Sequence, residues 1–247
     1  MRLTKSVYLL LLLSAILPDS ARAGDELLVA VASNFIAPMR EIADAFEQQT
    51  GHKVTLASGS SGKLYAQIRH GAPFDVFLSA DDEKPKALEA GGYALPGSRF
   101  TYALGGLALW SPNSEDPKAL LQTGFARLAL ANPRVAPYGQ AAQSTLDSLG
   151  LLERTRGRWV QGENIAQTYQ FVASGNADLG FVALSQLASQ SQRGGIWQVP
   201  PELHAPIRQD AVAISRSEKP LLSSVLLRFL KSDSTGEILN RYGYSRP

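Results

Sequence analysis

The chain has 247 residues, with 24 Lys or Arg against 22 Asp or Glu, and it contains no Cys. The lack of Cys excludes a disulfide framework and a zinc site built on thiolates. Because the charges nearly balance and no basic stripe is interleaved with aromatic residues, nucleic acid is not expected as a partner.

The first 23 residues have the pattern of a secretory signal peptide. Arg2 and Lys5 precede an apolar run at 7–17, and Ala21-Arg22-Ala23 supplies small residues for a peptidase. The run is shorter than the roughly 20 residues that cross a bilayer. We therefore predict cleavage after Ala23 and a periplasmic location. This leader carries three basic residues and one acidic residue, so the mature chain keeps 21 of each and no net formal charge.

The mature chain begins with a doubly wound α/β pattern. A continuous apolar run at 27–32 predicts a buried parallel strand, and further strands are predicted at 53–57 and 75–79. Apolar residues at helical spacing predict a helix at 35–49 and a shorter one that ends at Gly71. Alternation of strands and helices at this density is typical of a parallel sheet with helices on its faces.

A second α/β set follows a long apolar stretch. The stretch at 100–110 is too long for one regular strand, and a similar one recurs at 207–214. Between them lie predicted strands and helices at 128–131, 139–149, 165–173 and 179–183. Two helical patterns, at 220–230 and 235–242, end the chain.

We therefore predict an α/β fold of the two-lobed periplasmic binding protein type, class II-like, with hinge strands between the lobes. Lobe I is predicted at 24–104 plus 211–247, and lobe II at 105–210. The segments from Gly59 to Asp75 and from Gly162 to Asp178 resemble each other, each with a short helix that leads to a strand beginning with Asp.

Four small, polar loops precede predicted helices at the ends of strands, where open α/β sheets bind ligands. They are Ala32-Ser33-Asn34, Gly59-Ser60-Ser61-Gly62, Ala136-Pro137-Tyr138-Gly139 and Glu163-Asn164-Ile165. The first turn of a helix has free N–H groups and a positive potential. Several such helix ends that converge on one cleft would bind an anion without a charged side chain.

Other interpretations of these residues remain open from the residues alone. Ser33, Asn34 and Ser61 fit helix N-caps, and Tyr138 fits a packed, half-exposed aromatic residue.

Signs of catalysis are weak. The loop at 59–62 lacks the nucleophile-elbow pattern, and His52, His70 and His204 have no metal-ligand spacing. Asp75 and Asp178 could pair as carboxylates, although an Asp beside a turn at a strand start is the simpler explanation.

At these loops the sequence resembles the periplasmic molybdate-binding proteins of bacterial ABC importers, from Glu26 to about Gly243. The motifs that carry the resemblance are Ala32-Ser-Asn-Phe35, Ser58-Gly-Ser-Ser-Gly62, Gly71-Ala-Pro-Phe-Asp-Val-Phe-Leu-Ser-Ala-Asp81, Asn132-Pro-x-x-Ala-Pro-Tyr-Gly139, Ala177-Asp-Leu-Gly-Phe-Val182 and Arg241-Tyr-Gly-Tyr244.

The resemblance implies a site of hydrogen-bond donors only. It implies Ser33 and Ser61 through hydroxyl and N–H, Asn34 and Ile165 through their N–H groups, and Tyr138 through its hydroxyl. Ser60 is the alternative to Ser61. Some family members carry their tyrosine where this chain has Ala183, so the role passes to Tyr138.

The function that the resemblance implies is capture of molybdate or tungstate in a cleft between the lobes. The ligand is then delivered to an ABC permease in the inner membrane by a protein that is a monomer, has no cofactor and is not an enzyme. A binder of sulfate, thiosulfate or another oxyanion is the alternative, and an exported hydrolase or transferase acting on a small anion is a more distant one.

Overall fold

The computed structural model describes residues 25–188 and 193–247. The predicted signal peptide at 1–23 therefore lies outside the described residues. Within the described part of the chain, no helix is both long and apolar enough to span a bilayer.

The regular elements alternate along the described chain much as the sequence predicts. The strands are β1 (Glu26–Ala32), β2 (Lys53–Gly59), β3 (Val76–Leu78), β4 (Phe100–Gly105), β5 (Leu107–Ser111), β6 (Leu128–Ala131), β7 (Trp159–Gly162), β8 (Leu179–Ala183), β9 (Gly195–Gln198) and β10 (Ile207–Ala213). The α-helices are α1 (Ile36–Thr50), α2 (Ser61–Arg69), α3 (Glu83–Ala90), α4 (Pro117–Thr123), α5 (Pro137–Ser148), α6 (Leu152–Arg156), α7 (Ile165–Ala173), α8 (Leu184–Ala188), α9 (Pro220–Phe229) and α10 (Asp233–Arg241). Short 3₁₀ turns occur at Ser33–Phe35 and Pro201–Leu203.

The strands form two five-stranded sheets with equivalent topology. The first sheet has the order β2-β1-β3-β10-β4, and the second has the order β7-β6-β8-β5-β9. In the first, β1 is parallel to β2 and β3, and β10 is antiparallel to its neighbours. In the second, β6 is parallel to β7 and β8, and β5 is antiparallel to its neighbours. The predicted two-lobed α/β class is confirmed.

The chain crosses between the sheets at two places. Strand β4 ends at Gly105 in the first sheet and β5 begins at Leu107 in the second, so the stretch at 100–110 is two strands, as predicted. The chain returns between β9 and β10. Strand β10 pairs with the first sheet along its length, and the predicted lobe boundary between residues 210 and 211 falls inside it. The exact lobe limits stay a prediction.

Each lobe contains a hydrophobic core of its own. Phe35, Met39, Ile42 and Phe46 are spaced three or four residues apart, so one face of α1 and the turn before it is apolar and packs on the first sheet. In the second lobe, α5 packs on the second sheet through a separate cluster centred on residues such as Phe181. Burial of one such side chain contributes about 1.5–3 kcal/mol. The second cluster also includes Ala32 and Ala80 of the first lobe, so the two cores meet beside the interlobe cavity.

Candidate functional site

A small cavity lies between the lobes at the ends of their parallel strands. Its empty space is about 190 Å³, part of which is open to solvent. All five residues predicted from the sequence line it: Ser33, Asn34, Ser61, Tyr138 and Ile165. The other lining residues are Ala32, Gly59, Ser60, Ala80, Ala136 and Pro137. Among the described residues, no Asp, Glu, Lys, Arg or His is part of this lining. The cavity wall therefore carries no charged side chain, and its polar groups are hydroxyl, amide and backbone groups.

The first lobe contributes the 3₁₀ turn after β1. Ser33 and Asn34 form this turn together with Phe35, and all three side chains are buried. The residue that precedes the turn is Ala32, and no side chain caps either this turn or α1. The alternative that Ser33 and Asn34 are helix N-caps is therefore wrong.

The first turn of α2 is the second contribution of the first lobe. Its N-cap is Ser60, whose Oγ accepts from Lys63 N at 3.4 Å and whose carbonyl accepts from Leu64 N at 3.0 Å. The N-cap interpretation of Ser61 is therefore wrong by one residue. Gly62 N donates to Val135 O at 2.9 Å, across the cavity in the second lobe. Of the first four N–H groups of this helix, Ser61 N–H is left for the cavity.

The hydroxyl of Ser61 has a protein donor on its oxygen. Ala80 N donates to Ser61 Oγ at 2.9 Å, and Ser61 is 1% exposed. A hydroxyl carries one proton and two lone pairs. Because one lone pair is already occupied, the proton of Ser61 is free to point into the cavity.

The second lobe contributes the starts of α5 and α7. Pro137 occupies the first position of α5, where its missing N–H costs nothing, and this places Tyr138 in the cavity wall at 1% exposure. Tyr138 is therefore fully buried, and not half-exposed as the alternative interpretation held. Asn164 caps α7 by accepting from Gln167 N at 3.0 Å. The N–H of Ile165, the first residue of α7, has no acceptor within the helix.

A buried side-chain network lies behind the cavity. Gln209 on β10 is fully buried, and its Nε2 donates to the Tyr138 hydroxyl at 3.1 Å. Its Oε1 accepts from Asn34 Nδ2 at 2.9 Å and from the Tyr102 hydroxyl at 3.0 Å. The closeness of this packing explains Gly105, where a Cβ would lie 2.3 Å from the Tyr138 hydroxyl oxygen. Gln209 thus connects one cavity residue of each lobe.

Tyr244 extends the network to the end of the chain. Asn34 Nδ2 donates to the Tyr244 hydroxyl at 2.9 Å. The Tyr244 hydroxyl lies 3.0 Å from Asn34 O and 3.0 Å from Ser185 Oγ, and Ser185 Oγ donates to Asn34 O. The C-terminal segment and α8 therefore hold the turn that carries Asn34.

The sequence reasoning missed Gln209, Tyr102 and Ser185, and it used Tyr244 only as part of a motif. One signal was available for Gln209. It lies with Arg208 and Asp210 in a stretch flanked by apolar residues, and a polar residue that is buried in such a strand must have partners. The strand has a register shift between Gln209 and Asp210.

The tyrosines of the network are kept neutral. Burial raises the pKa of Tyr138 well above its ordinary value, and the nearby hydroxyls of Tyr244 and Tyr102 add to the shift. Burial likewise raises the pKa of Tyr102, and it raises the pKa of Tyr244 to about 12. Near neutral pH the Tyr138 hydroxyl therefore keeps its proton and acts as a hydrogen-bond donor.

The lobes also touch at the rim of the cavity. Lys63 Nζ lies 2.6 Å from Glu163 Oε2, and both side chains are largely exposed. Beside them, a Cβ on Gly62 would lie 2.9 Å from Val135 Cα and from Val135 O. Close approach of the lobes at this point therefore requires a glycine.

The other titratable residues considered in the sequence do not form a site. Asp75 Oδ2 accepts from Leu28 N, and Asp178 Oδ2 accepts from Ala126 N and Arg127 N, each within its own lobe. The possible pairing of the two carboxylates is therefore wrong. Each carboxylate instead accepts hydrogen bonds from backbone N–H groups of an adjacent segment in its own lobe. Across the described ranges, no group of three or more His, Asp or Glu side chains is placed to hold a metal ion.

Residues 27–245 match the family model described as bacterial extracellular solute-binding protein. The chain belongs to this family. The sequence is 47% identical over 242 residues to the molybdate-binding protein ModA of Azotobacter vinelandii, with 96% of each chain covered. It is 45% identical over 225 residues to ModA of Rhodobacter capsulatus, with 90% of this chain and 89% of that protein covered.

A solved structure agrees with these similarities. The structure of an Azotobacter vinelandii periplasmic molybdate-binding protein superposes with a TM-score of 0.86 at 41% identity, covering 90% of this chain and 99% of that one. The family resemblance predicted from the motifs is therefore confirmed for this solute-binding protein.

Proposed function

We propose that this protein captures molybdate or tungstate in the cavity between its lobes and delivers the oxyanion to an ABC permease. The observation that carries the proposal is a buried, uncharged cavity wall from which donors of both lobes converge. Ser33, Asn34 and Ser61 donate from the first lobe, and Tyr138 and Ile165 donate from the second. The names of the relatives at 47% and 45% identity support molybdate as the ligand.

The energetics of a donor-only site favour a fully ionised oxyanion. A buried charge costs several kcal/mol to desolvate, and each hydrogen bond to a charged group returns about 1.5–3 kcal/mol. The two serine hydroxyls, the Tyr138 hydroxyl and four N–H groups are enough to exceed that cost. The N-terminal ends of α2 and α7 add positive potential on the two sides of the cavity.

The same donors provide selectivity. Hydrogenphosphate carries a proton near neutral pH and needs an acceptor, which a donor-only wall does not offer, so it is rejected. Sulfate is fully ionised but smaller, so its oxygens cannot reach every donor together. Molybdate and tungstate have nearly the same size, and both are expected to bind.

The protein is proposed to act by binding without chemical change. Capture occurs in the periplasm, after removal of the leader at 1–23, and the lobes close about the strands that join them. The closed monomer then docks on a permease in the inner membrane. No cofactor takes part. Anion recovered from the denatured complex is expected to be chemically unchanged, whereas a new product would identify an enzyme.

Thermal unfolding of the mature, ligand-free protein tests the choice of ligand. Molybdate, tungstate, sulfate and phosphate are added at equal concentration. A ligand that binds only the folded state stabilises it by about 4 kcal/mol at a thousandfold excess over its Kd. Large upward shifts with molybdate and tungstate alone are expected. A shift with sulfate instead would keep the binding function and change the ligand, and no shift with any of the four would contradict the proposal.

A further inference from the structure

The hydrogen bonds behind the cavity determine the amide orientations of Asn34 and Gln209, beginning at the carbonyl of Asn34. A carbonyl can only accept, and Ser185 Oγ and the Tyr244 hydroxyl both lie 3.0 Å from it. The proton of Tyr244 therefore goes to Asn34 O or to Ser185 Oγ, since a phenol has one proton. Toward the Asn34 side chain, Tyr244 can then only accept.

The same logic continues to Gln209. Because Tyr244 accepts, the atom of Asn34 that faces it is Nδ2, and this nitrogen also faces Gln209. The atom of Gln209 that faces Asn34 must then be Oε1, which leaves Nε2 to face Tyr138 at 3.1 Å. The amide orientation is thus set by partners far away in the sequence.

We infer that Gln209 is a positioning residue for oxyanion binding, because its Nε2 donates to the Tyr138 oxygen. One acceptor position of Tyr138 is then occupied, and its proton stays available to the anion. The inference rests on the proposed function, in which the Tyr138 hydroxyl contacts the anion. Gln209 itself does not line the cavity. The Tyr244 hydroxyl is a second neighbour of the Tyr138 hydroxyl. Its remaining lone pair can accept the Tyr138 proton when no anion is bound.

Two substitutions at Gln209 separate this role from a purely structural one. Gln209→Glu keeps the shape but places an acceptor against Tyr138. Three donors would surround the new carboxylate, which favours its ionised form, and the Tyr138 proton would turn away from the cavity. Gln209→Met removes every hydrogen bond of the side chain but leaves the Tyr138 proton free for the anion.

The experiment measures Kd for molybdate at pH 8 by calorimetry, in the wild-type protein and in both variants. We expect Gln209→Glu to weaken binding by roughly 10- to 100-fold, the range for one hydrogen bond to an anion, and Gln209→Met to weaken it less. A structural role predicts the reverse order, because Met loses every hydrogen bond that the Gln209 side chain makes. If Gln209→Glu loses no more affinity for molybdate than Gln209→Met does, the inference is overturned.

Repeating both substitutions in a Tyr138→Phe background controls for the added charge. If Gln209 acts through Tyr138, Gln209→Glu should raise Kd by less than about threefold in this background, because the Tyr138→Phe side chain has no hydroxyl proton for the carboxylate to accept. A full loss in this background would show direct repulsion of the anion and would also overturn the inference. Thermal unfolding without ligand checks that each variant is folded.

The wild-type measurement separates failure of the proposed function from failure of the role inferred for Gln209. If sulfate binds and molybdate does not, the ligand assignment fails and the same comparison is made with sulfate. If the wild-type protein binds none of molybdate, tungstate, sulfate or phosphate, the proposed function fails and this inference fails with it.

Discussion

Ser61 and Tyr138 reach the cavity from opposite lobes, and the structure prepares both hydroxyls in the same way. A backbone N–H donates to Ser61 Oγ, and a side-chain amide donates to the Tyr138 oxygen. In each case a protein donor occupies one lone pair, and the hydroxyl proton stays available for an anion in the cavity. Donors arranged before the ligand arrives lose little freedom on binding, which favours affinity.

Tyr138→Phe tests the hydroxyl directly. Loss of one hydrogen bond to a charged ligand is expected to raise Kd roughly 10- to 100-fold. Titration calorimetry with molybdate measures the change. Tyr242→Phe is the matched control. It removes a tyrosine hydroxyl that donates to Glu41 in the first lobe, and Tyr242 does not line the cavity. Equal losses in both variants would argue against a ligand role for Tyr138.

Ser60 and Ser61 are adjacent but should respond differently to replacement by Ala. Ser60→Ala removes an N-cap and is expected to lower the free energy of unfolding by about 1 kcal/mol, with a smaller effect on affinity. Ser61→Ala removes a cavity donor and is expected to raise Kd about tenfold or more. Urea unfolding and calorimetry on both variants make the comparison. The opposite pattern would move the ligand role to Ser60.

At the scale of elements, the sequence predicted those parts whose signal is local. Continuous apolar runs identified β1, β6 and β8, because strands buried on both faces read this way. Helix starts were harder. Ser33 and Asn34 stand before an apolar helical pattern, which is typical of a cap, but a 3₁₀ turn occupies their place. The loop chemistry at these residues was predictable, while the geometry of the turn depends on what packs around it.

Gln209 shows what could not be predicted. Its partners Tyr102, Tyr138 and Asn34 lie 107, 71 and 175 residues away in the sequence. No periodicity or spacing encodes such contacts. Those with Tyr102 and Asn34 form when the first lobe folds, and the contact with Tyr138 forms only when the lobes come together. The motif resemblance supplied the cavity residues, but it contained no information about the residue that supports two of them.

Gly62→Ala tests the closest approach of α2 to the second lobe. The added Cβ would lie 2.9 Å from the Val135 backbone, so closure should be blocked and Kd for molybdate should rise at least tenfold. Ligand-free stability should not fall, because Ala is the better helix former. Gly157→Ala is the control, since a Cβ there meets nothing within 4 Å. Normal affinity in Gly62→Ala would show that the lobes can close without this contact.

At the scale of the molecule, affinity combines cavity contacts with the contacts that the lobes make with each other. The pair formed by Lys63 and Glu163 joins the lobes but is exposed, and exposed pairs contribute about 0–1 kcal/mol. Lys63→Glu should therefore raise Kd by less than about tenfold, and adding Glu163→Lys should restore it. The Kd values of the three proteins should differ at low salt and should become similar at high salt, which screens the exposed charges. A loss that the second substitution does not restore would mean that Lys63 acts on the anion and not on lobe closure.

The tyrosine network should also make the stability of the whole molecule sensitive to alkali. Burial raises the pKa values of Tyr102, Tyr138 and Tyr244, the last to about 12 from an ordinary 10. Below pH 10 these phenols are neutral in both the folded and the unfolded chain, so their contribution to stability is fully present. As the pH rises from 10 toward 12, the unfolded chain releases protons that the folded protein retains, and each group then costs about 1.4 kcal/mol per pH unit.

Urea unfolding between pH 8 and pH 12 measures this dependence. The free energy of unfolding should be level up to about pH 10 and should fall steeply above it. Tyr244→Phe should be less stable at pH 8, because Asn34 and Ser185 lose a hydrogen-bond partner. Above pH 10 its free energy of unfolding should fall less steeply, because one titrating phenol has been removed. Equal slopes for the wild-type protein and Tyr244→Phe would mean that burial does not keep Tyr244 protonated above pH 10.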